Sequence, residues 1–185
     1  MLAEEGELVV EAMGVNPTRI GFLHVLERMG VSPERSGERQ AGGEPVADLV
    51  VRAAAPRSTE VTAEEIPSLI DEVPILAVLA SRGEGETRFR SVGELRVKES
   101  DRLGLLARNL RAVGTQAEVQ GDDLVVVGAE TPPRGHVETA QDHRLTMAFA
   151  VLGTVRGARV ELSESDSAEV SYPGFFDDLA AVLRP

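Results

Sequence analysis

The chain has 185 residues, of which 42% are apolar, and a net charge of −12. This composition predicts a folded domain with a core, and the negative charge argues against general nucleic-acid binding, which needs a basic surface. The sequence has no cysteine, no run of 18 apolar residues and no basic start before an apolar stretch. Disulfides and thiolate metal sites are therefore excluded, and we expect a cytoplasmic protein without a membrane span or signal peptide.

Turn signals and hydrophobic periodicity predict alternating strands and helices. In chain order, the predicted elements are a strand at 6–13, a helix at 17–29, a strand at 47–53, a helix at 71–81, a strand at 87–92, a helix at 100–113, a hairpin of strands at 116–120 and 123–128, a helix from 142 to just before 153, a strand at 157–163 and a helix at 173–183. The segment SGERQAGGEP at 36–45 is predicted to be a loop.

The order helix, strand, helix, strand, strand occurs completely once, at about 71–128. A second copy begins near 142 and stops after its second helix, and a first copy lacks its leading helix. Two helix ends, VLERMG from residue 25 and NLRAVG from residue 109, are also alike. We therefore predict internal repeats whose end units are incomplete, within a larger protein.

The segment RVKESDR at 96–102 holds Lys98, the only lysine among 19 basic residues. On a helix, Lys98 and Arg102 would share a face, and Glu99 could meet Arg102. The helix dipole disfavours cations at a helix start, and residues that depart from a local preference of this kind often mark a functional site. This cluster could bind an anion and hold Glu99 as a placed acid, although a solvated first turn with ordinary ion pairs explains the spacing equally well.

Two other predicted helix starts carry candidate groups. Asp142 is predicted to cap its helix, followed by His143 as a proton carrier or phosphate donor and by Arg144 as a cation. Asp71 precedes the apolar run ILAVLA and is either a helix cap or a catalytic carboxylate. From the residues alone, ordinary capping is the simpler interpretation of both segments.

Five segments, in order, resemble motifs of the EPSP synthase family. They are NPTR at 16–19, IDEVP at 70–74, RVKESDRL at 96–103, DHR at 142–144 with the MA pair at 147–148, and SYPGFF at 171–176. The resemblance extends from about Leu8 to Leu183. It implies an α/β (α+β) fold of repeated βαβαββ units, incomplete at both ends, with ligands bound in a cleft between two domains. Residues 1–185 would then be part of the C-terminal domain, without the N-terminal domain and a short opening segment.

The resemblance also implies an activity. The family transfers the enolpyruvyl group of phosphoenolpyruvate to the 5-hydroxyl of shikimate 3-phosphate, in the shikimate pathway, with no cofactor or metal. By position, Asp71 matches the carboxylate that takes the hydroxyl proton, and Glu99 matches the one that protonates the methylene carbon. Lys98 matches a catalytic residue that contacts shikimate 3-phosphate.

The same resemblance assigns the remaining binding residues. Arg102 and Arg144 match phosphoenolpyruvate-binding arginines, and His143 lines the same pocket. Glu94 falls where some members have asparagine as a substrate contact. Val170 falls where many members carry a lysine that helps bind phosphoenolpyruvate, so one expected cation is absent from that position.

Two alternatives stay open. UDP-N-acetylglucosamine enolpyruvyl transferase shares the fold, although the KESDR run at 98–102 disfavours it. A domain that binds an anionic metabolite or a protein without catalysis is the other alternative. We expect the isolated chain to be inactive, because one wall of the cleft would be missing, and to self-associate through exposed sheet edges and an apolar face.

Overall fold

The computed structural model describes residues 2–3 and 5–183. The strands in these ranges are β1 (Glu7–Gly14), β2 (Glu34–Ala41), β3 (Glu44–Arg52), β4 (Glu60–Val61), β5 (Glu86–Phe89), β6 (Gln116–Gln120), β7 (Asp123–Val127), β8 (Arg134–Val137) and β9 (Arg159–Leu162). The α-helices are α1 (Gly21–Arg28), α2 (Val73–Ala80), α3 (Arg102–Ala112), α4 (His143–Leu152), α5 (Ala168–Ser171) and α6 (Phe175–Val182). Short 3₁₀ segments lie at Ile66–Ser68, Ile70–Glu72 and Gly93–Val97.

Three small sheets show one repeated arrangement. In the sheet of order β4-β5-β7-β6, β4 is parallel to β5, and the other neighbours are antiparallel. The sheet of order β1-β3-β2, which is antiparallel throughout, reproduces β5-β7-β6, and the parallel pair β8-β9 reproduces β4-β5. The predicted repeats are therefore confirmed: a complete unit from β4 to β7 lies between two partial units.

The core runs through all three units and is centred on two apolar helices. The helices α2 and α4 pack against each other, and α2 (VPILAVLA) is buried along its length except at Ile75. Burial of each large aliphatic side chain contributes roughly 1.5–3 kcal/mol.

At the ends of α1 and α3, Gly30 and Gly114 have φ of 79° and 94°. Glycine adopts this left-handed backbone without strain, and both predicted helix stops are confirmed.

The predicted loop at 36–45 is wrong. These residues form the end of β2 and the start of β3, which are joined at Gly42 and Gly43. Every residue of β2 is exposed, so its sequence lacks the apolar alternation by which a strand is recognised. Pairing with β3 holds this strand in place, and Arg39 of β2 lies 3.0 Å from the Asp48 carboxylate of β3. Two further strands, β4 with two residues and β8 with four, were not predicted.

Several helices begin later than predicted. The helix α1 starts at Gly21 rather than Pro17, because the Asn16 side chain accepts the backbone N–H of Thr18 (3.1 Å) and forms a turn there. The helix α3 starts at Arg102, capped by Asp101, whose carboxylate accepts the backbone N–H of Gly104. None of the helices in the described ranges is long and apolar enough to cross a membrane.

Candidate functional site

The carboxylate of Asp71 lies among four cationic side chains. The nearest nitrogens are 3.5 Å away on Arg144, 3.6 Å on Arg19, 3.8 Å on Lys98 and 3.9 Å on Arg102. These cations come from three segments of the chain, and the Asp71 side chain remains 23% exposed. A single partly exposed carboxylate is thus the centre of a cluster of charged side chains.

Of the two interpretations of Asp71, the helix cap is wrong. Asp71 lies in the 3₁₀ turn Ile70–Glu72, and α2 begins after Glu72 without a side-chain cap. Pro74 in the first turn of α2 has no N–H to satisfy, which reduces the need for such a cap. Within the described ranges, the Asp71 carboxylate therefore accepts no backbone hydrogen bond, and its contacts are with the cations.

The predicted helical face shared by Lys98 and Arg102 is also wrong. Lys98 has an extended backbone (φ −81°, ψ −153°) after the 3₁₀ segment Gly93–Val97, and the helix begins only at Arg102. The two side chains still converge, because both approach Oδ1 of Asp71. The Lys98 ammonium also donates to Oε1 of Glu94 at 2.5 Å. A compact ammonium thus lies between two carboxylates.

Arg102 and Asp142 form a buried pair that joins two helix starts. Nε of Arg102 donates to Oδ2 of Asp142 at 2.9 Å, and Ser100 Oγ donates to the same oxygen at 2.8 Å. The predicted cap is confirmed, because Asp142 also accepts the backbone N–H groups of Arg144 and Leu145. Burial alone would raise the pKa of Asp142, but the hydrogen bonds and charge of Arg102 and the bond from Ser100 outweigh it and lower that pKa below its usual value.

The predicted contact between Glu99 and Arg102 is confirmed. Nη2 of Arg102 donates to the Glu99 carboxylate, while Nη1 of the same guanidinium lies 3.9 Å from Oδ1 of Asp71. The Glu99 side chain is 51% exposed, whereas Arg102 is 1% exposed. The buried guanidinium therefore lies between Asp71 and a carboxylate that solvent can reach.

Arg144 and Glu72 form the other side of the cluster. Arg144 Nη1 donates to the backbone carbonyl of Asp71 at 3.0 Å. Oε1 of Glu72 lies 3.8 Å from Arg19 and 3.9 Å from Arg144, but its Oε2 is buried and has no hydrogen-bond partner among the described residues. Burial raises the pKa of Glu72, and the two arginines offset only part of this effect.

Other expected groups do not join the cluster. Arg96 donates to the carbonyl of Gly121 at 2.7 Å, in the turn between β6 and β7. His143 is half-buried at the start of α4, and the described residues form no ion pair or hydrogen bond with its side chain. Val170, on α5, is 83% exposed and brings no cation.

Arg19, Glu72 and Ser100 are functional candidates that sequence reasoning missed. Arg19 had a signal, because it lies within the NPTR segment at 16–19 that resembles a family motif. Ser100 and Glu72 are direct neighbours of Glu99 and Asp71 in the chain, but only the structure shows their side-chain partners.

The cluster combines opposite charges in nearly equal number. Its cations are Arg19, Lys98, Arg102 and Arg144, and its carboxylates are Asp71, Glu72, Glu94, Glu99 and Asp142. An anionic ligand would therefore bind by replacing carboxylate contacts of cations that are already positioned. The partly exposed carboxylates could then accept or donate protons beside the bound anion.

Comparison with known proteins agrees with this geometry. The family model for EPSP synthase (3-phosphoshikimate 1-carboxyvinyltransferase) matches residues 1–179. The chain belongs to the EPSP synthase family. The 3-phosphoshikimate 1-carboxyvinyltransferases of Synechococcus sp. (strain RCC307) and Methylobacterium radiotolerans are 44% and 45% identical to it over 178 and 184 residues. These matches cover 96% and 98% of this chain but 41% of each relative. The chain thus spans about two fifths of the length of these EPSP synthase family members.

Solved structures support the same family fold. An EPSP synthase structure from Acinetobacter baumannii superposes with a TM-score of 0.92 at 31% identity, covering 97% of this chain and 42% of that one. The enolpyruvyl transferase NikO from Streptomyces tendae superposes with a TM-score of 0.71 at 24% identity, covering 97% of this chain and 39% of that one. The likeness to NikO shows a shared fold only.

Proposed function

We propose that this chain forms one wall of the active-site cleft of a cytoplasmic enzyme that transfers the enolpyruvyl group of phosphoenolpyruvate to the 5-hydroxyl of shikimate 3-phosphate. The products are 5-enolpyruvylshikimate 3-phosphate and phosphate. The observation that carries the proposal is the placement of Asp71 within 3.9 Å of four cations, with Glu99 on the far side of Arg102. Both substrates are multiply anionic, so four positioned cations beside two accessible carboxylates suit them.

In this proposal, two carboxylates handle the protons. Asp71 takes the proton of the 5-hydroxyl while the hydroxyl oxygen attacks the enol carbon of phosphoenolpyruvate. Glu99 delivers a proton to the methylene carbon, which becomes a methyl group. Glu99, now a carboxylate, takes a proton back from the methyl group, which restores the double bond as the carbon–oxygen bond to phosphate breaks and phosphate leaves. Arg102 lies between the two carboxylates and stabilises the negative charge that moves between them.

The remaining residues hold the substrates. Arg102 and Arg144 bind phosphoenolpyruvate, and His143, which follows Asp142 at the start of α4, lines its pocket. Lys98 binds shikimate 3-phosphate and the reacting hydroxyl, and Glu94 orients the Lys98 ammonium through their 2.5 Å contact. Binding replaces contacts between these cations and carboxylates of the protein, so the donors need little rearrangement.

The opposite wall of the cleft would come from the part of the enzyme that the chain does not span. The chain covers 41% of the relatives it matches, and Lys98, Glu99 and Arg144 are all at least partly exposed on the present wall. A second domain would exclude water and position the two substrates, which supplies much of the rate of a two-substrate reaction.

A chimera tests the proposal. This chain replaces the matching segment of the Methylobacterium radiotolerans relative, and phosphate release from phosphoenolpyruvate and shikimate 3-phosphate is measured. We expect turnover by the chimera, none by the isolated chain, and losses of at least about 100-fold in kcat for Asp71→Asn and Glu99→Gln. Glu118→Gln, on an exposed position of β6, serves as the matched control and should keep full activity.

Two results would contradict the proposal. Phosphate release by the isolated chain, abolished by Glu99→Gln, would show that the second wall is unnecessary. A folded chimera that binds phosphoenolpyruvate without turnover would favour a domain that binds an anionic metabolite and does not catalyse.

A further inference from the structure

Arg19 and Arg144 approach the same two carboxylate oxygens from different segments of the chain. Oδ2 of Asp71 lies 3.6 Å from Nη2 of Arg19 and 3.5 Å from Nη2 of Arg144. Oε1 of Glu72 lies 3.8 Å from Nη2 of Arg19 and 3.9 Å from Nη1 of Arg144. The other two cations of the cluster approach Oδ1 of Asp71 instead. The cluster therefore contains a pair of guanidinium groups on one side of Asp71.

The two arginines differ in how firmly the protein holds their side chains. Arg144 donates from Nη1 to the backbone carbonyl of Asp71 at 3.0 Å. Among residues 2–3 and 5–183, no partner forms a hydrogen bond with the Arg19 side chain, whose contacts with Asp71 and Glu72 are too long to be hydrogen bonds. The Arg19 side chain is 55% exposed, whereas that of Arg144 is 30% exposed. The N–H donors of Arg19 are thus accessible to an acceptor from solution.

The backbone around Arg19 is held by a turn and by close packing. The backbone N–H of Arg19 donates to the carbonyl of Asn16 at 2.9 Å, and the Asn16 side chain closes the same turn. Two positions after Arg19, Gly21 packs against Ser68, and a Cβ atom at Gly21 would lie 1.9 Å from Oγ of Ser68. Because Ser68 is three positions before Asp71, the missing side chain of Gly21 lets the turn that carries Arg19 lie against the segment that carries Asp71.

Two guanidinium groups that converge on carboxylate oxygens can bind an anionic group of a ligand in the same way. A guanidinium stays charged, and its planar set of N–H donors matches the oxygens of a carboxylate or a phosphate. The ion pairs of Arg19 are long and partly exposed, and ion pairs of this kind contribute little. A multiply charged anion can therefore replace them, while the backbone of Arg19 stays in place.

We propose that Arg19 is a further binding residue for phosphoenolpyruvate, and that Arg19 and Arg144 bind the same anionic group of this substrate. The identity of the substrate rests on the proposed function, which assigns phosphoenolpyruvate to Arg144. The pairing of the two arginines rests on their shared contacts with Asp71 and Glu72.

Steady-state kinetics of the chimera with the Methylobacterium radiotolerans relative test the inference. Arg19→Gln removes the charge and should raise the KM for phosphoenolpyruvate at least about tenfold, with the KM for shikimate 3-phosphate within about twofold and kcat within about threefold. Arg19→Lys keeps the charge but loses the paired donors, so it should raise the KM for phosphoenolpyruvate only about threefold. Arg35→Gln is the matched control, because it removes the same charge from β2, where Arg35 pairs with Glu38, and it should change none of these constants.

A double-mutant cycle shows whether both arginines bind one anionic group. Titration calorimetry with phosphoenolpyruvate gives the affinities of the chimera with Arg19→Gln, with Arg144→Gln and with both substitutions. Residues that bind one group together are energetically coupled, so the loss in the double variant should differ at least about threefold from the product of the single losses. Arg35→Gln combined with Arg144→Gln should give the product. Thermal melts show that each variant is folded before affinities are compared.

Three results would overturn the inference. The first is a KM for phosphoenolpyruvate that is no higher in Arg19→Gln than in Arg35→Gln. The second is a higher KM for shikimate 3-phosphate alone, which would assign Arg19 to the other substrate. The third is a loss in the double variant that equals the product of the single losses, which would mean that the two arginines bind separate groups.

The same measurements separate this inference from the proposed function. If the chimera binds phosphoenolpyruvate without turnover, only the proposed function is contradicted, because the calorimetric affinities still test Arg19. A folded chimera that binds no phosphoenolpyruvate contradicts both.

Discussion

Arg102 and Asp142 form an ion pair that is almost completely buried, with side chains 1% and 0% exposed and Nε 2.9 Å from Oδ2. The same carboxylate caps α4, so one side chain fixes the start of that helix and the orientation of the guanidinium. With its Nε and Nη2 edge held by Asp142, Arg102 presents Nη1 toward Asp71. The pair therefore links the stability of the domain to the geometry of the proposed site.

Removing Asp142 should destabilise the chain far more than removing an ordinary cap. We expect Asp142→Ala to lower the free energy of unfolding by about 3–5 kcal/mol, because Arg102 would remain buried without a counter-ion. Asp101→Ala, which removes the exposed cap of α3, is the matched control and should lower it by about 1 kcal/mol. Urea unfolding of both variants measures the difference. Equal losses would mean that the buried pair adds nothing beyond capping.

The contribution of Asp142 should also depend on pH. Its pKa is lowered in the folded state, so the stability it contributes is present above the ordinary carboxyl value of 3.8 and is lost as the pH falls through the folded value. We expect the difference in unfolding free energy between the wild type and Asp142→Asn to be constant from about pH 5 to 7 and to shrink below about pH 4. Urea unfolding at several pH values measures it. A difference that does not change down to pH 2 would contradict the assignment.

The stability that Glu72 contributes to the isolated chain should depend on pH in the opposite direction to that of Asp142. Its pKa is raised by burial, so its stabilising contribution belongs to the protonated form and is lost as the pH rises through the folded value. Glu72→Gln should therefore raise the unfolding free energy at pH 7, by roughly 1 kcal/mol or less. The exposed Glu161→Gln on β9 is the control and should change it very little. The prediction fails if thermal unfolding at pH 7 shows Glu72→Gln to be less stable than the wild type.

Lys98 should not tolerate arginine in the active chimera. The Lys98 ammonium lies 2.5 Å from Glu94 and 3.8 Å from Asp71, and a guanidinium is wider and has its donors in a fixed plane. If Lys98 contacts the 5-hydroxyl as proposed, this displacement should lower kcat by about 100-fold for Lys98→Arg. Steady-state kinetics with both substrates measure this effect. Wild-type kcat and KM would show that Lys98 is a bystander.

Arg102→Lys should fail differently. The lysine ammonium keeps the positive charge but cannot reproduce the planar set of N–H donors with which Arg102 binds both Asp142 and Glu99. We therefore expect mainly a higher KM for phosphoenolpyruvate. The same variant should also lower the melting temperature of the isolated chain, because the buried pair with Asp142 is weakened. An unchanged KM for phosphoenolpyruvate would remove Arg102 from the proposed binding site.

Local signals predicted the parts of the fold that local interactions determine. Asp142 caps a helix through its own neighbours, and Gly30 and Gly114 end helices by their backbone conformation, so all three were readable in the sequence. Strand β2 was not, because its exposed residues are held only by pairing with β3.

The candidate site was predicted in part as a set of residues, without Arg19, Glu72 and Ser100, but not as an arrangement. The hydrogen bond between Arg144 and the Asp71 carbonyl spans 73 positions, and no local pattern encodes such a distance. Lys98 approaches Asp71 from an extended backbone and not from the helix that its spacing to Arg102 suggested. Arg19 joins Asp71 from the turn before α1, a placement that depends on how the first and second units pack.

The order of synthesis has a consequence for Arg102. The complete unit ends at Val127, 15 residues before Asp142, so a nascent chain can form β4 to β7 before the fully buried counter-ion of Arg102 has been made. Until α4 arrives, Arg102 has only the partly exposed Glu99 and Asp71 near its guanidinium, and we expect the start of α3 to leave that guanidinium in contact with water. Folding of the last unit thus completes the one before it, and proteolysis of nascent chains stalled before and after α4 would show protection of α3 only in the longer ones.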